Sequence, residues 1–128
     1  MKRQIPKPTE AELEILQILW ANNGLTVRDI NAHLASLRGV GYTTTLKLLQ
    51  IMFEKELVYR DETARSHVYF AAVTEADTRG QLLDSFMEST YRGSSASLVM
   101  QALGRRQPSR DELDQIRRMI DEMEDDKS

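Results

Sequence analysis

Tyr42, Thr43, Thr44, Lys47 and Gln50 lie so close together that one short helix presents them along one flank. Threonine hydroxyls bond phosphates or base edges, and their methyls can touch the thymine methyl. Glutamine can pair with adenine, and lysine adds a compact positive charge. The start of such a helix itself favours a phosphate. Downstream, Arg60, Arg65 and His67 bracket a polar stretch that suits a projecting hairpin meeting phosphates or a minor groove, with Asp61 and Glu62 partly opposing them. Arg28, near the start of the preceding helix, is a further phosphate-contact candidate. Plainer roles stand beside these: Thr43 as a helix cap, Lys47 as a solvated charge, and His67, alternating with Tyr69 in a strand, as a half-exposed structural residue.

Catalysis has little to rest on. The two histidines, His33 and His67, sit beside no nucleophile and in no triad-like context. There is no glycine-rich phosphate loop, no metal-ligand cluster and no motif calling for a cofactor. Glu10, Glu12 and Glu14 read as first-turn acids that complement a helix dipole. The absence of cysteine removes disulfides, thiolate zinc sites and thiol redox chemistry.

The elements that must position the candidate surface follow from local signals. Thr9 and Glu12 form a capping box, and Leu13, Leu16, Ile18, Leu19 and Trp20 continue a helical stripe as far as Asn22-Asn23-Gly24. Thr26 and Asp29 start a second helix, about residues 27–37, expected to bury Val27, Ile30, Leu34 and Leu37 and to stop at Gly39. Gly41-Tyr42-Thr43 opens a third, running to about Lys55, with Leu48, Leu49, Met52 and Phe53 facing a core. Val58 to Arg60 and His67 to Ala71 read as the two strands of a hairpin. Three short helices and a hairpin make a winged helix-turn-helix, so the expected fold is mainly α with a small β-hairpin.

Beyond Thr74, a cap with Asp77 three residues on, the pattern is wholly helical. Leu82, Leu83, Phe86 and Met87 form one stripe, and Leu98, Val99, Met100 and Leu103 a second after Gly93-Ser94-Ser95. A capping box at Ser109 and Glu112 starts the last helix, where Leu113, Ile116, Ile120 and Met123 recur at coiled-coil spacing. The chain therefore divides into a winged-helix segment, residues 1–73, and a helical segment, residues 74–128. Short amphipathic helices of this kind need a partner, and pairing two copies would present two recognition helices about a two-fold axis to palindromic double-stranded DNA. The expected pairing residues are Leu82, Phe86, Leu98, Leu103, Leu113, Ile116 and Ile120. Arg105, Arg106 and Arg110 are expected to pair with acids of either copy.

The chain has 128 residues, 29% of them charged, and a net charge of -3. Residues 1–72 hold nine Lys and Arg against eight Asp and Glu, whereas residues 73–128 hold eight against twelve. An anion-binding segment thus precedes an acidic one with another job. The longest apolar run, Val68 to Val73, is far too short to span a bilayer, and the basic start has no apolar signal core. The expectation is a cytoplasmic protein that does not insert in membranes.

Thr9 to Trp20, Tyr42-Thr43-Thr44, Glu54-Lys55-Glu56-Leu57-Val58, Arg65 with Tyr69, Tyr91-Arg92-Gly93-Ser94 and Leu98-Val99-Met100 together resemble the penicillinase-repressor family over roughly residues 6–124. The resemblance implies a homodimeric winged-helix repressor of palindromic operators, often with TGTA/TACA-like half-sites, controlling antibiotic-resistance or stress genes. In those repressors a membrane-linked sensor protease pathway cuts an Asn–Phe bond in the dimerisation segment; the matching position here is Gln101-Ala102. Three departures stand out. Glu56 replaces the usual glycine after the recognition helix, so the glycine turn is expected to be missing there. Ile51 stands where many members carry a basic residue, and the C-terminal cysteines of the copper-sensing members are absent. A winged-helix module that binds a protein, with no specific DNA binding, is the alternative.

Overall fold

The computed structural model describes residues 6–127; residues 1–5 and 128, the outer ends of the two expected segments, lie outside the described residues. Contacts divide the chain into two compact units, one ending at Leu83 and the other beginning at Asp84.

The first unit starts with α1 (Glu10–Ala21), whose first turn is closed by the expected capping box between Thr9 and Glu12. The chain then turns at Gly24, which has a left-handed φ of 91° and lies so close to Phe70 that a Cβ there would sit 2.7 Å from the ring. Only glycine fits both demands. Next come β1 (Leu25–Thr26) and α2 (Val27–Arg38), the latter capped reciprocally by Thr26 and Asp29 and ended by left-handed Gly39. Then follow α3 (Tyr42–Glu54), β2 (Val58–Asp61) and β3 (Val68–Ala71). The expected two-stranded hairpin is a three-stranded antiparallel sheet in the order β1-β3-β2. Leu25 pairs with Tyr69 and Thr26 with Val68 on one side of β3, while Tyr59 pairs with Phe70 and Arg60 with Tyr69 on the other. The cross-strand Tyr59 and Phe70 rings stack at 5.0 Å between centroids.

Ile15, Leu16, Leu19, Val27, Ile30, Leu34, Leu49, Met52, Leu57, Val58, Tyr69 and Val73 form the core. Each large apolar side chain so buried contributes about 1.5–3 kcal/mol. Leu37 is not among them: at 70% exposure it lies outside the core that the helical spacing assigned to it. Its position, one turn beyond Leu34, falls in the last turn of α2, next to Arg38 and the left-handed cap at Gly39, beyond the last buried residue of the helix. Phe53 is likewise partly exposed, at 36%.

Glu12 is buried, with its carboxylate oxygens 2.9 and 3.0 Å from the Lys55 ammonium and one of them accepting the Thr9 backbone N–H at 2.9 Å. It is therefore a buried link between the start of α1 and the end of α3, in place of the surface acid the sequence suggested. Burial pushes its carboxyl pKa up, but the Thr9 N–H and the Lys55 ammonium outweigh that and hold it below the ordinary value.

The Trp20 indole N–H donates to the Val73 carbonyl at 2.9 Å, across 53 residues of sequence. Val73 lies just before Thr74, whose hydroxyl caps α4 (Glu75–Tyr91) by accepting the Asp77 backbone N–H. Thr78, one turn into α4, is 2% exposed. The strands end at Ala71, next to the expected segment boundary at 73/74, but the first turns of α4 count with the winged unit.

The second unit holds the rest of α4, then α5 (Ser95–Arg105) and α6 (Arg110–Lys127). Ser94 caps α5, and Ser109 with Glu112 forms the expected capping box of α6. Neither α5 nor α6 has a buried residue. No helix among the described residues is long and apolar enough to cross a membrane.

Candidate nucleic-acid interface

The start of α3 is fixed from beneath. Thr45 is fully buried and its hydroxyl donates to the Gly41 carbonyl, while the Asn31 side-chain amide donates to the Thr45 hydroxyl at 2.9 Å and to the Val40 carbonyl at 2.8 Å. With Thr45 turned inward, Tyr42, Thr43 and Thr44 point outward and are exposed, as are Lys47 and Gln50 further along. Thr43 is not the cap: Gly41 occupies that position, and no side chain bonds the first turn there. The hydroxyls of Thr43 and Thr44 are thus left on the surface beside uncapped backbone N–H groups, an anion-binding arrangement.

A cleft of about 950 Å³ opens between the first turns of α2 and α3 and the tip of the hairpin. Arg28, Tyr42, Arg65 and His67 line it together with Thr26, Asp29 and Ser66, above Leu46 and Tyr69. Four of the nine expected contact residues therefore meet in one concavity, from three segments of the chain. His67 falls just outside β3 and is exposed, which corrects the half-exposed strand position; the pairing stops at Val68, opposite Asp61.

Arg60 is placed differently. Its guanidinium bonds Glu62 and lies 3.9 Å from the centre of the Phe53 ring, where cation–π attraction adds to the ion pair. The hydrogen bond it donates to the Glu62 carboxylate holds its pKa above the ordinary arginine value. At the tip, the Thr63 hydroxyl and N–H hold the Asp61 carboxyl below its usual range, and Arg60 does the same for Glu62. Both acids of the wing are thereby engaged locally, and Arg65 is the wing arginine that lines the cleft, facing it together with Arg28 of α2.

The turn after α3 also departs from expectation. Glu56 takes the left-handed conformation itself, with φ of 66°, and its N–H bonds the Phe53 carbonyl while that of Leu57 bonds Met52. The glycine turn is present without the glycine. Sequence reasoning missed Asn31 and the Glu12–Lys55 pair. Asn31 leaves a trace, since it is a polar residue adjoining the apolar face made by Val27, Ile30 and Leu34.

The sequence matches the penicillinase repressor family over residues 8–122. The chain belongs to the penicillinase repressor family. It is similar to the penicillinase repressor of Bacillus licheniformis, 22% identical over 94% of each chain. It is also similar to the transcriptional regulator BlaI of Mycobacterium tuberculosis, 29% identical over 90% of this chain and 83% of that protein. The solution structure of the DNA-binding domain of the repressor BlaI covers 59% of this chain and 93% of its own length, with a TM-score of 0.53 at 21% identity. The monomeric Bacillus licheniformis BlaI in complex with a half-operator gives a TM-score of 0.51 at 22% identity, over 58% of this chain and 90% of that one. These establish a winged-helix fold within a family of transcriptional repressors that are not enzymes. Among the described residues no group of three or more His, Asp or Glu is placed to hold a metal ion.

Proposed function

We propose that this penicillinase-repressor family member represses transcription by binding a palindromic operator in double-stranded DNA as a homodimer. The observation that carries the reading is the meeting of Arg28, Tyr42, Arg65 and His67 in the cleft beside the exposed flank of α3. In this reading Thr43, Thr44, Lys47 and Gln50 enter the major groove, Arg28 and Arg65 hold phosphates on either side, and Arg60 stiffens the wing from its base. Residues 74–128 pair the two copies. Leu82, Leu98, Leu103, Leu113 and Ile116 are only half-buried, and Phe86 and Ile120 are 50% and 49% exposed, so a second copy has apolar surface to cover. A protein acting on the bacterial chromosome works in the cytoplasm. Antibiotic-resistance or stress genes are the regulated class that the family supports.

The test is the salt dependence of duplex binding by the purified protein. Phosphate contacts make log affinity fall linearly with log salt, by about 0.9 per phosphate. Lys47→Ala and Arg65→Ala should each weaken binding, and each should flatten that slope by about one unit if its side chain meets a phosphate. If Lys47 instead reads a base, the loss appears as relaxed specificity. Unchanged affinity and slope in both variants overturn the interface; an absence of salt-dependent binding favours the protein-interaction module.

Release by cleavage at Gln101-Ala102, through a membrane-linked sensor protease, completes the proposal. Both residues are exposed but lie inside α5, so the protease must first open the helix. Severing the arm costs the second head its effective concentration. Intact protein on a blot of fully induced cells overturns this route.

A further inference from the structure

We infer that Trp20 is a positioning residue that determines which spacing between half-sites the repressor accepts, an inference that rests on the dimeric operator-binding reading above. Val73 is the last residue before the cap of α4, so its carbonyl lies outside the helix's own bonding and is open to another donor. The donor is the Trp20 indole, from the last turn of α1, and the ring packs against the winged unit's core. Val73 is itself a core residue, and Thr78 is the one buried residue of α4. The stretch from Val73 to Thr78 is therefore the base on which α4 is seated, and beyond it the helix continues without a break to Tyr91.

A helix transmits an angle set at its base. From Thr78 to Tyr91 the rise is about 20 Å at 1.5 Å per residue. A tilt of about 10° at the base therefore moves the far end by about 3.5 Å, close to the roughly 3.4 Å rise of one base pair. In a dimer joined through the C-terminal helices, looseness at Val73 becomes looseness in the separation of the two recognition helices. The Trp20 bond adds a directional contact to the burial of Val73 and Thr78 at this base. Phenylalanine keeps an aromatic ring at this position but removes the N–H together with the indole's five-membered ring, so equal binding of a single half-site is the control that the head still packs.

The experiment is selection from a pool of random-sequence duplex DNA with full-length wild-type protein and Trp20→Phe in parallel, followed by titration of the enriched duplexes, of versions with one base pair inserted or removed between half-sites, and of a single half-site. Both proteins should enrich the same half-site sequence and bind the single half-site equally. The wild type should favour one spacing, and the variant should lose about fivefold or more of that preference, the equilibrium worth of an ordinary hydrogen bond. A variant that keeps the wild-type spacing preference overturns the inference. So does one that loses single half-site binding, because Trp20 then only supports the head. If the wild type enriches no two-fold-symmetric sequence, the dimeric reading itself fails and this inference falls with it.

Discussion

The helices α2 and α6 carry apolar residues at similar helical spacing, yet α2 buries Val27, Ile30 and Leu34 whereas α6, half as long again, buries nothing. Periodicity announces a face; it does not say what covers it. In the winged unit the cover is the rest of the same unit, and the core closes within the chain. In the C-terminal unit Met100 of α5 and Met119, Ile120 and Met123 of α6 remain about half-exposed or more, and this is apolar surface for the proposed pairing to cover. One unit closes a core of its own, and the other leaves its apolar faces open.

Ile116→Asp should separate the two most sharply. A carboxylate on the apolar face of α6 must be desolvated for pairing to occur, at a cost of several kcal/mol. The variant should sediment as a monomer and lose about 10²–10⁴-fold in affinity for a two-half-site duplex, the gain that tethering supplies. Unfolding of the winged unit should be unaffected. A wild-type protein that sediments as a monomer at micromolar concentration would remove the contrast altogether.

Glu12→Gln should act on the winged unit alone. Removing the buried carboxylate leaves Lys55 without its partner and should cost about 2 kcal/mol, less than a fully buried pair because Lys55 reaches water. The folded pKa of Glu12 lies below the ordinary glutamate value of 4.5, so its contribution is complete above that pH and is lost as pH falls through the folded value. Thermal unfolding between pH 3 and 5 should thus be less steeply pH-dependent in the variant, and an unchanged acid limb would show that Glu12 is not what the acid titrates.

The smallest effect is a gain. Glu56→Gly relieves a left-handed φ that costs an ordinary residue about 1–2 kcal/mol, offset in part by glycine's greater freedom when unfolded. The net should be about 0.5–1 kcal/mol of added stability in denaturant unfolding, confined to the winged unit. Destabilisation instead would mean that the Glu56 side chain contributes more than its backbone costs.

What the sequence makes legible here is mostly local. The Thr9, Thr26 and Ser109 boxes, the stop at Gly39 and the break at Gly93 each depend on residues within one turn of one another, and each is found where the pattern puts it. β1 was missed because two residues carry no alternation, and Leu25 and Thr26 become a strand only through pairing with residues more than forty positions away. The Glu12–Lys55 pair and the Trp20–Val73 bond are hidden for the same reason. At the interface, the outward run Tyr42 to Thr44 was legible from composition, whereas Thr45 turning inward onto Asn31 depends on how α2 packs against α3. Arg60 shows a similar limit: the sequence puts a basic residue at the base of the wing but does not show the Phe53 ring and the Glu62 carboxylate that engage it there.

The reciprocal cap at the start of α6 has a consequence for the speed with which two copies would meet in the proposed dimer. Eighteen residues is longer than the roughly 12–15 at which an isolated helix becomes marginal in water, and the Ser109–Glu112 box satisfies donors that would otherwise fray the first turn. The helix therefore holds its shape before its apolar face is covered. In the proposed dimer, association would then spend little entropy on ordering the backbone, and encounter would dock two formed surfaces with no need to fold them together.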